Sequence, residues 1–427
     1  MNGELVGHWS ITSQGKHEFR YAESWLGSES RRPISLSMPL RPHDAPYKGE
    51  TVFAFFDNLL PDSRDIRQRV RDRFGISSTQ PFDLLEETGR DCVGAIQLLA
   101  EGTRPKDIHA IKSVPLNEKD IANKLRGTVS DSNFGQDKED FRISLAGAQE
   151  KTALLWRDNQ WQQPLGNTPT THIFKLPLGR VGNYQFDMTH SIENEWLSLK
   201  ILELFGLEVP ECHLDQFEDQ RVLIVERFDR KLSDDKSWWI RLPQEDMCQV
   251  FGIPPGEKYE SDGGPDISKI MGFLLGSDNA HEDRTNFLKS QLLFWILAAI
   301  DGHAKNFSVY IQKDGRYTLT PLYDVLSAHP IMGGKANELA PQKAKMAMSI
   351  YGKNKHYKWA EMMKRHWYAT AEDCGMGEQN ESLIEDVALR AQTIRPDIEQ
   401  LIPAEFPSKI SDPVIEGMEK AAKTLIE

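Results

Sequence analysis

Apolar and polar positions alternate along this chain in two rhythms, a two-residue period in short segments and a three-to-four-residue return in longer ones, and these rhythms set the predicted elements. His17-Glu18-Phe19-Arg20-Tyr21 has strand rhythm, and residues 51–60 and 63–74 have helical rhythm, which together predict a small α+β unit over about the first 100 residues. From Gly102 to Glu139 the sequence turns polar and loop-rich around one helix at 117–125, so a domain junction is placed near 125–138. From Phe141 the pattern reads strand, turn, strand: Phe-Arg-Ile-Ser-Leu, Ala-Gly-Ala-Gln-Glu-Lys, Thr-Ala-Leu-Leu-Trp. A further strand, Thr171 to Leu176, stops at Pro177. The helix predicted at 191–205 carries Ile192, Trp196, Leu197, Ile201, Leu204 and Phe205 on one stripe and ends at Gly206. A buried strand follows at Val222 to Val225. After Arg227 the pattern is mainly helical, most apolar at 285–300 and amphipathic from 355 to the end. A β-rich half before an α-rich half predicts two lobes.

Composition narrows the partners. The 427 residues hold 51 Lys+Arg against 64 Asp+Glu, a formal charge of −13. That balance excludes a generic basic nucleic-acid coat protein and leaves room only for a local basic patch. Cys92, Cys212, Cys248 and Cys374 are scattered, without a zinc-type spacing, and are expected to be reduced thiols. Met1 to Gly7 shows neither the basic nor the apolar region of a signal peptide. The longest strongly apolar run, Leu292 to Ile300, falls short of the roughly 20 residues that span a bilayer. The expectation is a cytoplasmic protein with no membrane partner.

The chemistry concentrates after the apolar helix. Asp301 and Asn306 stand five apart, and strands expected at 307–312 and 316–321 lead to Leu322-Tyr323-Asp324. Phosphoryl transfer uses this arrangement: an Asp receives the proton of the attacking hydroxyl, an Asn five residues on holds a magnesium ion, and a second Asp behind a strand pair completes the metal site. Taken alone the spacing also suits an ordinary loop. Upstream, Lys175 at a strand end reaches phosphates as a point charge or is simply solvated. Glu195 or Glu193 on the next helix is placed to pair with it, or to form a surface salt bridge. The turn Ala146-Gly147-Ala148-Gln149-Glu150-Lys151 offers backbone N–H groups to phosphates.

Order along the chain strengthens the reading. Turn, strand lysine, helix glutamate, the segment Glu226-Arg227-Phe228, the Asp301/Asn306 loop and Asp324 follow the sequence of parts of a two-lobed kinase. In that scheme Glu226 to Phe228 form a hinge whose backbone meets the adenine edge; the other reading is a plain interdomain connection. His303 either donates to a nucleotide phosphate or fixes the loop. Arg64, Arg67, Arg69, Arg71 and Arg73 crowd one helix; Arg64, Arg67 and Arg71 share a face, and with Asp65 and Asp72 interleaved the expectation is a solvated helix rather than a DNA contact.

These segments resemble the HipA family of bacterial serine/threonine kinase toxins: Phe141-Arg-Ile-Ser-Leu-Ala-Gly-Ala-Gln-Glu-Lys, Thr171-His-Ile-Phe-Lys-Leu-Pro, Val225-Glu-Arg-Phe-Asp-Arg, Leu242-Pro-Gln-Glu-Asp-Met-Cys-Gln and Asp301-Gly-His-Ala-Lys-Asn-Phe-Ser. Phe53-Ala-Phe-Phe-Asp-Asn-Leu-Leu-Pro-Asp-Ser, Pro81-Phe-Asp-Leu-Leu and Gly89-Arg-Asp are similar to its N-terminal part. The resemblance implies an α+β, two-lobed protein-kinase-like fold related to phosphatidylinositol kinases. Its parts would be an N-terminal subdomain over 1–130, a nucleotide-binding lobe over 131–228 and an all-α lobe over 229–427. It implies Mg2+ and ATP, with Asp301 as catalytic base and Asn306 and Asp324 as metal ligands. Ala146 to Lys151, Lys175, Glu226 to Phe228, His303, Asn306, Tyr323 and Asp324 would surround the nucleotide. Autophosphorylation at Ser144 would silence the kinase. The implied partners are glutamyl-tRNA synthetase as target, with growth arrest and persistence as outcome, and a HipB-like helix-turn-helix antitoxin dimer. That antitoxin would carry the toxin to operator DNA, and so to the nucleoid, as co-repressor. A kinase-shaped co-repressor with little catalysis, and a small-molecule kinase, are the rival readings.

Overall fold

The computed structural model describes residues 1–129, 144–147, 149–377 and 379–427. It divides into two compact units. The first comprises Met1–Leu176, Glu211–Gly256 and Ser308–Tyr317, the second Pro177–Pro210, Glu257–Phe307 and Thr318–Glu427.

The first unit opens with a sheet of β1 (Gly7–Ile11), β2 (His17–Tyr21) and β3 (Tyr47–Lys48), with helices α1 (Glu23–Leu26), α2 (Glu50–Asp57), α3 (Arg64–Phe74) and α4 (Pro81–Thr88). The two-residue rhythm of β2 sends Phe19 and Tyr21 into a core with Trp25, Phe55, Phe56, Leu60 and Leu84. Helix α3 starts at Ser63, whose hydroxyl accepts from the Ile66 N–H, and stops at Gly75 with φ 67°.

A second sheet in this unit combines β4 (Ser113–Pro115), β5 (Lys151–Arg157), β6 (Gln160–Pro164), β7 (His172–Lys175), β10 (Cys212–Phe217) and β11 (Gln220–Glu226). Their order is β10-β11-β7-β5-β6-β4, antiparallel throughout. Helix α5 (Glu118–Val129) buries Ile121, Ala122 and Leu125 with Leu154, Phe174, Val222 and Ile224. The register sets Lys151 directly across from Lys175. The strand expected at 141–145 is not borne out in its described part: Ser144 and Leu145 lie in irregular backbone, Ser144 bonding to Leu59 and Asp91 instead of joining a ladder, and 141–143 lie outside the described residues. The hairpin β12 (Arg230–Leu232) and β13 (Trp239–Arg241), then β14 (Gln244–Asp246), α7 (Met247–Phe251) and β15 (Ser308–Ile311), complete the unit, β14 pairing with β15.

The second unit carries a hairpin of β8 (Gly179–Val181) and β9 (Phe186–Met188), then α6 (Ser191–Leu204), α8 (Ile267–Phe273) and α9 (Ala280–Ile296). The strand β16 (Tyr317–Leu319) follows β15 along the chain. Helices α10 (Lys364–Asp373), α11 (Gln379–Thr393), α12 (Arg395–Leu401) and α13 (Ser408–Ile426) follow later, α13 packing on α11. Helix α6 is buried without a break from Ser191 to Leu199, so the single apolar stripe expected there becomes a helix enclosed on all sides. The C-terminal part is not purely helical. A hairpin of β17 (Lys345–Tyr351) and β18 (Lys355–Lys358) lies within it, with Met346, Ala347, Met348 and Ile350 buried along β17. Among the described residues no helix is long and apolar enough to cross a membrane.

Candidate active site

Two groups of the expected site residues are assembled, one within each unit. In the second unit α9 ends at Ile296, and Ala298 turns the chain with φ 49°. Gly302 is required here, since a Cβ at this position would lie 2.4 Å from the ring of buried Phe294. The loop is then bound to the segment after β16. The His303 N–H donates to Asn306 Oδ1 at 3.2 Å, and Asn306 Nδ2 donates to the Asp324 carbonyl at 3.1 Å. Tyr323 donates its hydroxyl to the Lys305 carbonyl at 2.8 Å. Asp324 itself sits at φ 61°, a left-handed conformation that Asp tolerates better than most residues and that recurs at functional sites.

Further stitches hold the same segment. Ser327 Oγ donates to the Leu297 carbonyl at 2.6 Å. Buried Asn194 of α6 brackets Ser327, accepting its N–H at 2.9 Å and donating to its carbonyl at 2.8 Å. Asp301 stands exposed on this fixed frame, Asn306 is buried and Asp324 half-buried. Its Oδ1 accepts the Tyr259 hydroxyl at 2.5 Å. Glu193 and Glu195 are buried on α6, with Glu193 3.4 Å from the His190 ring.

An amide oxygen and a carboxylate, drawn together by the Asn306 bond, are hard donors suited to Mg2+. Among the described residues there is no group of three or more His, Cys, Asp or Glu that could hold a metal. Mg2+ does not demand one, because it is commonly bound by one or two protein oxygens together with phosphates and water. The pair therefore fits the ion.

In the first unit the segment around Gly147, with φ 107°, is folded against its own unit. The Asp62 N–H donates to the Gly147 carbonyl at 3.1 Å, Lys151 Nζ to the Ala146 carbonyl at 2.6 Å, and Gln149 Nε2 to the Leu176 carbonyl at 2.6 Å. Arg69 of α3 forms an ion pair with Glu150. Ala148 lies outside the described residues. Lys175 is buried at the end of β7. Ser144 is almost fully buried at 1% exposure, its hydroxyl donating to the Leu59 carbonyl at 2.7 Å.

The solvated helix expected at 64–74 needs correction. Arg67 grips Asp57 at 2.6 Å and the Pro61 carbonyl at 2.6 Å, Arg69 holds Glu150, and Arg73 donates to the Gly127 carbonyl. Interleaved acidic residues suggested solvation; the decisive partners are remote in sequence.

The segment Glu226-Arg227-Phe228 leaves β11 as an anchored strand end. The Glu226 N–H donates to the Glu211 carbonyl and the Arg227 N–H to the Thr171 carbonyl, each at 2.8 Å, and Tyr310 donates to the Phe228 carbonyl at 3.0 Å. The Arg227 side chain is buried, its guanidinium reaching both Asp229 oxygens at 3.0 and 2.8 Å and the Cys92 carbonyl at 2.8 Å. Asp91, sequestered beside it, accepts from Arg230 at 3.0 Å, Arg241 at 3.2 Å and the Thr170 hydroxyl at 2.7 Å. Burial alone would raise the Asp91 carboxyl, but Arg230, Arg227 and Arg241 outweigh it and hold the group well below the usual carboxylate range. Sequence reasoning missed Asp91, Arg69 and Tyr259. Asp91 lay inside the quoted Gly89-Arg-Asp segment and Arg69 among arginines read as solvated, whereas Tyr259 lay outside every motif.

The comparisons with known proteins agree with this architecture. Residues 1–99 match the model of the HipA N-terminal domain, and residues 143–394 that of the HipA-like C-terminal domain. The relative Y4mE of Sinorhizobium fredii is 32% identical over 382 residues, covering 88% of this chain and 85% of its own. The serine/threonine-protein kinase toxin HipA of Shewanella oneidensis is 25% identical over 319 residues, 72% of this chain and 69% of that protein. A solved structure of the Shewanella oneidensis HipA, HipB and operator DNA complex aligns over 100% of this chain and 96% of that one, with a TM-score of 0.78 at 20% identity. That likeness establishes the α+β, kinase-like fold. With both family models matched and the fold shared from end to end, the chain belongs to the HipA family.

Proposed function

We propose that this chain is a Mg-ATP-dependent serine/threonine protein kinase and the toxin of a toxin–antitoxin module. The observation that carries the reading is the bond from Asn306 to the Asp324 backbone, which holds an amide oxygen and a carboxylate beside the loop that presents exposed Asp301. Asp301 accepts the proton of the attacking hydroxyl as its oxygen bonds to the γ-phosphorus of ATP, while the bond from that phosphorus to the β,γ-bridging oxygen breaks and ADP leaves. Asn306 and Asp324 are the residues that would hold a magnesium ion, which when bound would supply positive charge to neutralise the phosphates. By the family resemblance, the Ala146 to Lys151 segment and Lys175 would offer backbone N–H groups and ammonium charge to phosphates, and Glu226 to Phe228, His303 and Tyr323 are the further nucleotide-binding residues of this reading. In this reading the chain works as an N-terminal subdomain over 1–130, a nucleotide-binding lobe over 131–228 and a catalytic lobe over 229–427.

The protein target proposed is glutamyl-tRNA synthetase, with growth arrest and persistence following. A HipB-like antitoxin dimer would recruit the chain to operator DNA as co-repressor in the bacterial cytoplasm. The toxin and antitoxin parts of this reading are supported by the Shewanella relative, which is named a serine/threonine-protein kinase toxin, and by the aligned structure, which contains HipB and operator DNA. The same complex favours, as a second reading, a co-repressor with little catalysis. Labelled ATP with magnesium separates the two. Labelling of the chain or of a bacterial lysate that disappears in Asp301→Gln supports the kinase, and labelling indifferent to Asp301 or absent altogether rejects it.

A further inference from the structure

The exposed carboxylate of Asp301 needs something to fix its rotamer, and the second unit supplies a candidate from outside the catalytic loop. Tyr259 donates its hydroxyl to Asp301 Oδ1 at 2.5 Å. Its ring stands edge-on to His303, with centroids 5.1 Å apart and planes at 84°. The preceding residue, Lys258, accepts the Ala304 N–H through its carbonyl at 3.2 Å, so the tyrosine segment and the loop are joined by backbone as well as side chain.

The following residue anchors the tyrosine from the other side. Glu260 is buried, and its carboxylate accepts from the Ser349 N–H at 2.6 Å, the Ser349 hydroxyl at 2.8 Å, Lys355 Nζ at 2.8 Å and the Tyr357 hydroxyl at 2.9 Å. A carboxylate filled in this way ties residues 259–260 to the β17–β18 hairpin, and so fixes where the Tyr259 hydroxyl can reach. The Asp301 loop is thus gripped between its own stitches to Asp324 and an aromatic residue held by a remote hairpin.

We infer that Tyr259 is the positioning residue of the catalytic base: its hydroxyl holds Oδ1 of Asp301 and thereby dedicates Oδ2 to the hydroxyl of the protein being phosphorylated. This inference rests on the kinase reading above. A donor that acts only through Asp301 contributes to the chemical step and not to nucleotide binding, because an in-line transfer depends on the orientation of the base within a few tenths of an ångström.

The test uses full-length protein with γ-labelled Mg-ATP, following initial transfer to the chain itself and to proteins of a bacterial lysate across a range of ATP concentrations. Wild type, Tyr259→Phe, Asp301→Asn and the double variant are compared, each checked by thermal melting. Tyr259→Phe is expected to lower kcat about tenfold or more, leave KM for ATP within about twofold and melt close to wild type. In the Asp301→Asn background the tyrosine substitution is expected to do nothing further. An unchanged kcat in folded Tyr259→Phe, a rise in KM alone, or an equal loss with and without Asp301 overturns the positioning role while leaving the kinase reading intact. Transfer that ignores Asp301, or no transfer at all, overturns both. Should Tyr259→Phe melt much below wild type, the residue is structural and the inference is overturned.

Discussion

Asn306 donates its side-chain amide to the backbone carbonyl of Asp324, 18 positions further along the chain, at 3.1 Å, while its own oxygen accepts the His303 N–H. The bond uses the Asp324 backbone carbonyl, and the residue is half-buried. If Asp324 is a magnesium ligand as proposed, Asp324→Ala is expected to abolish the magnesium dependence of ATP binding and leave the fold intact, because the half-buried side chain is not part of the packed core. Calorimetry of ATP with and without magnesium, beside a thermal melt, checks it. Wild-type magnesium-ATP affinity in the folded variant would show that Asp324 is not a ligand.

The Arg227 anchor gives a stability prediction. Asp91 balances Arg227, Arg230 and Arg241 in a fully enclosed cluster. Asp91→Asn leaves three buried guanidiniums facing Asp229 alone, and breaking such a buried network is expected to destabilise by about 3–5 kcal/mol. Equilibrium denaturation reads this directly. A midpoint equal to wild type would mean that the cluster contributes little to the fold.

Glu245 makes the stability of the first unit depend on pH. Burial pushes its carboxyl up to about 8, opposed in part by the Leu36 N–H, which donates to it at 2.7 Å. A folded pKa above the unfolded one means that the folded state holds the proton more tightly. Its stabilising contribution is thus full below the ordinary carboxylate range and is lost as pH rises toward and through about 8. Glu245→Gln, which keeps the acceptor without the charge, is expected to flatten the decline between pH 5 and 8 that urea denaturation of the wild type would trace. Identical pH profiles for the two would contradict the assignment.

Ser144 is proposed as the autophosphorylation site, and its burial constrains how that happens. The hydroxyl donates to Leu59, so a phosphoryl group of about −1.5 to −2 charge cannot be accommodated without opening the segment beside Gly147. Phosphorylated protein is expected to bind ATP far more weakly, Ser144→Ala to bind normally, and inert Asp301→Gln protein to be labelled at Ser144 by added active protein. Equal ATP affinities of the modified and unmodified forms would dismiss the switch, and an unlabelled inert variant would dismiss transfer between molecules.

Periodicity made much of the fold legible. It located the helix at 64–74 within a residue of its observed start, the helix at 191–204, and the strands at 172–175 and 220–226, since each carries its own apolar pattern. It failed where tertiary partners decide. Ser144 reads as a strand residue, yet its bonds go to Leu59 and Asp91, both distant in sequence. The arginines of α3 read as solvated because Asp65 and Asp72 are interleaved, while Asp57, Glu150 and Gly127 hold three of them. In the second unit the local spacing of Asp301, His303 and Asn306 matched their structural association, and Asp324 joined them through the Asn306 bond. Tyr259 left no such trace. Its role depends on a contact spanning 42 positions and on a hairpin nearly a hundred residues further on.

If Asp301 is the base of phosphoryl transfer to protein, its loss must fall on the transfer step. The most direct measurement is the rate of labelled phosphate transfer from Mg-ATP to protein by wild type and by Asp301→Gln, at ATP concentrations that saturate both. ATP affinity is expected to be preserved within a few-fold in Asp301→Gln and transfer to fall at least a thousandfold, about 4 kcal/mol of transition-state stabilisation. Equal transfer by both proteins, or wild-type protein that binds ATP and passes its phosphate to no protein, would contradict that role.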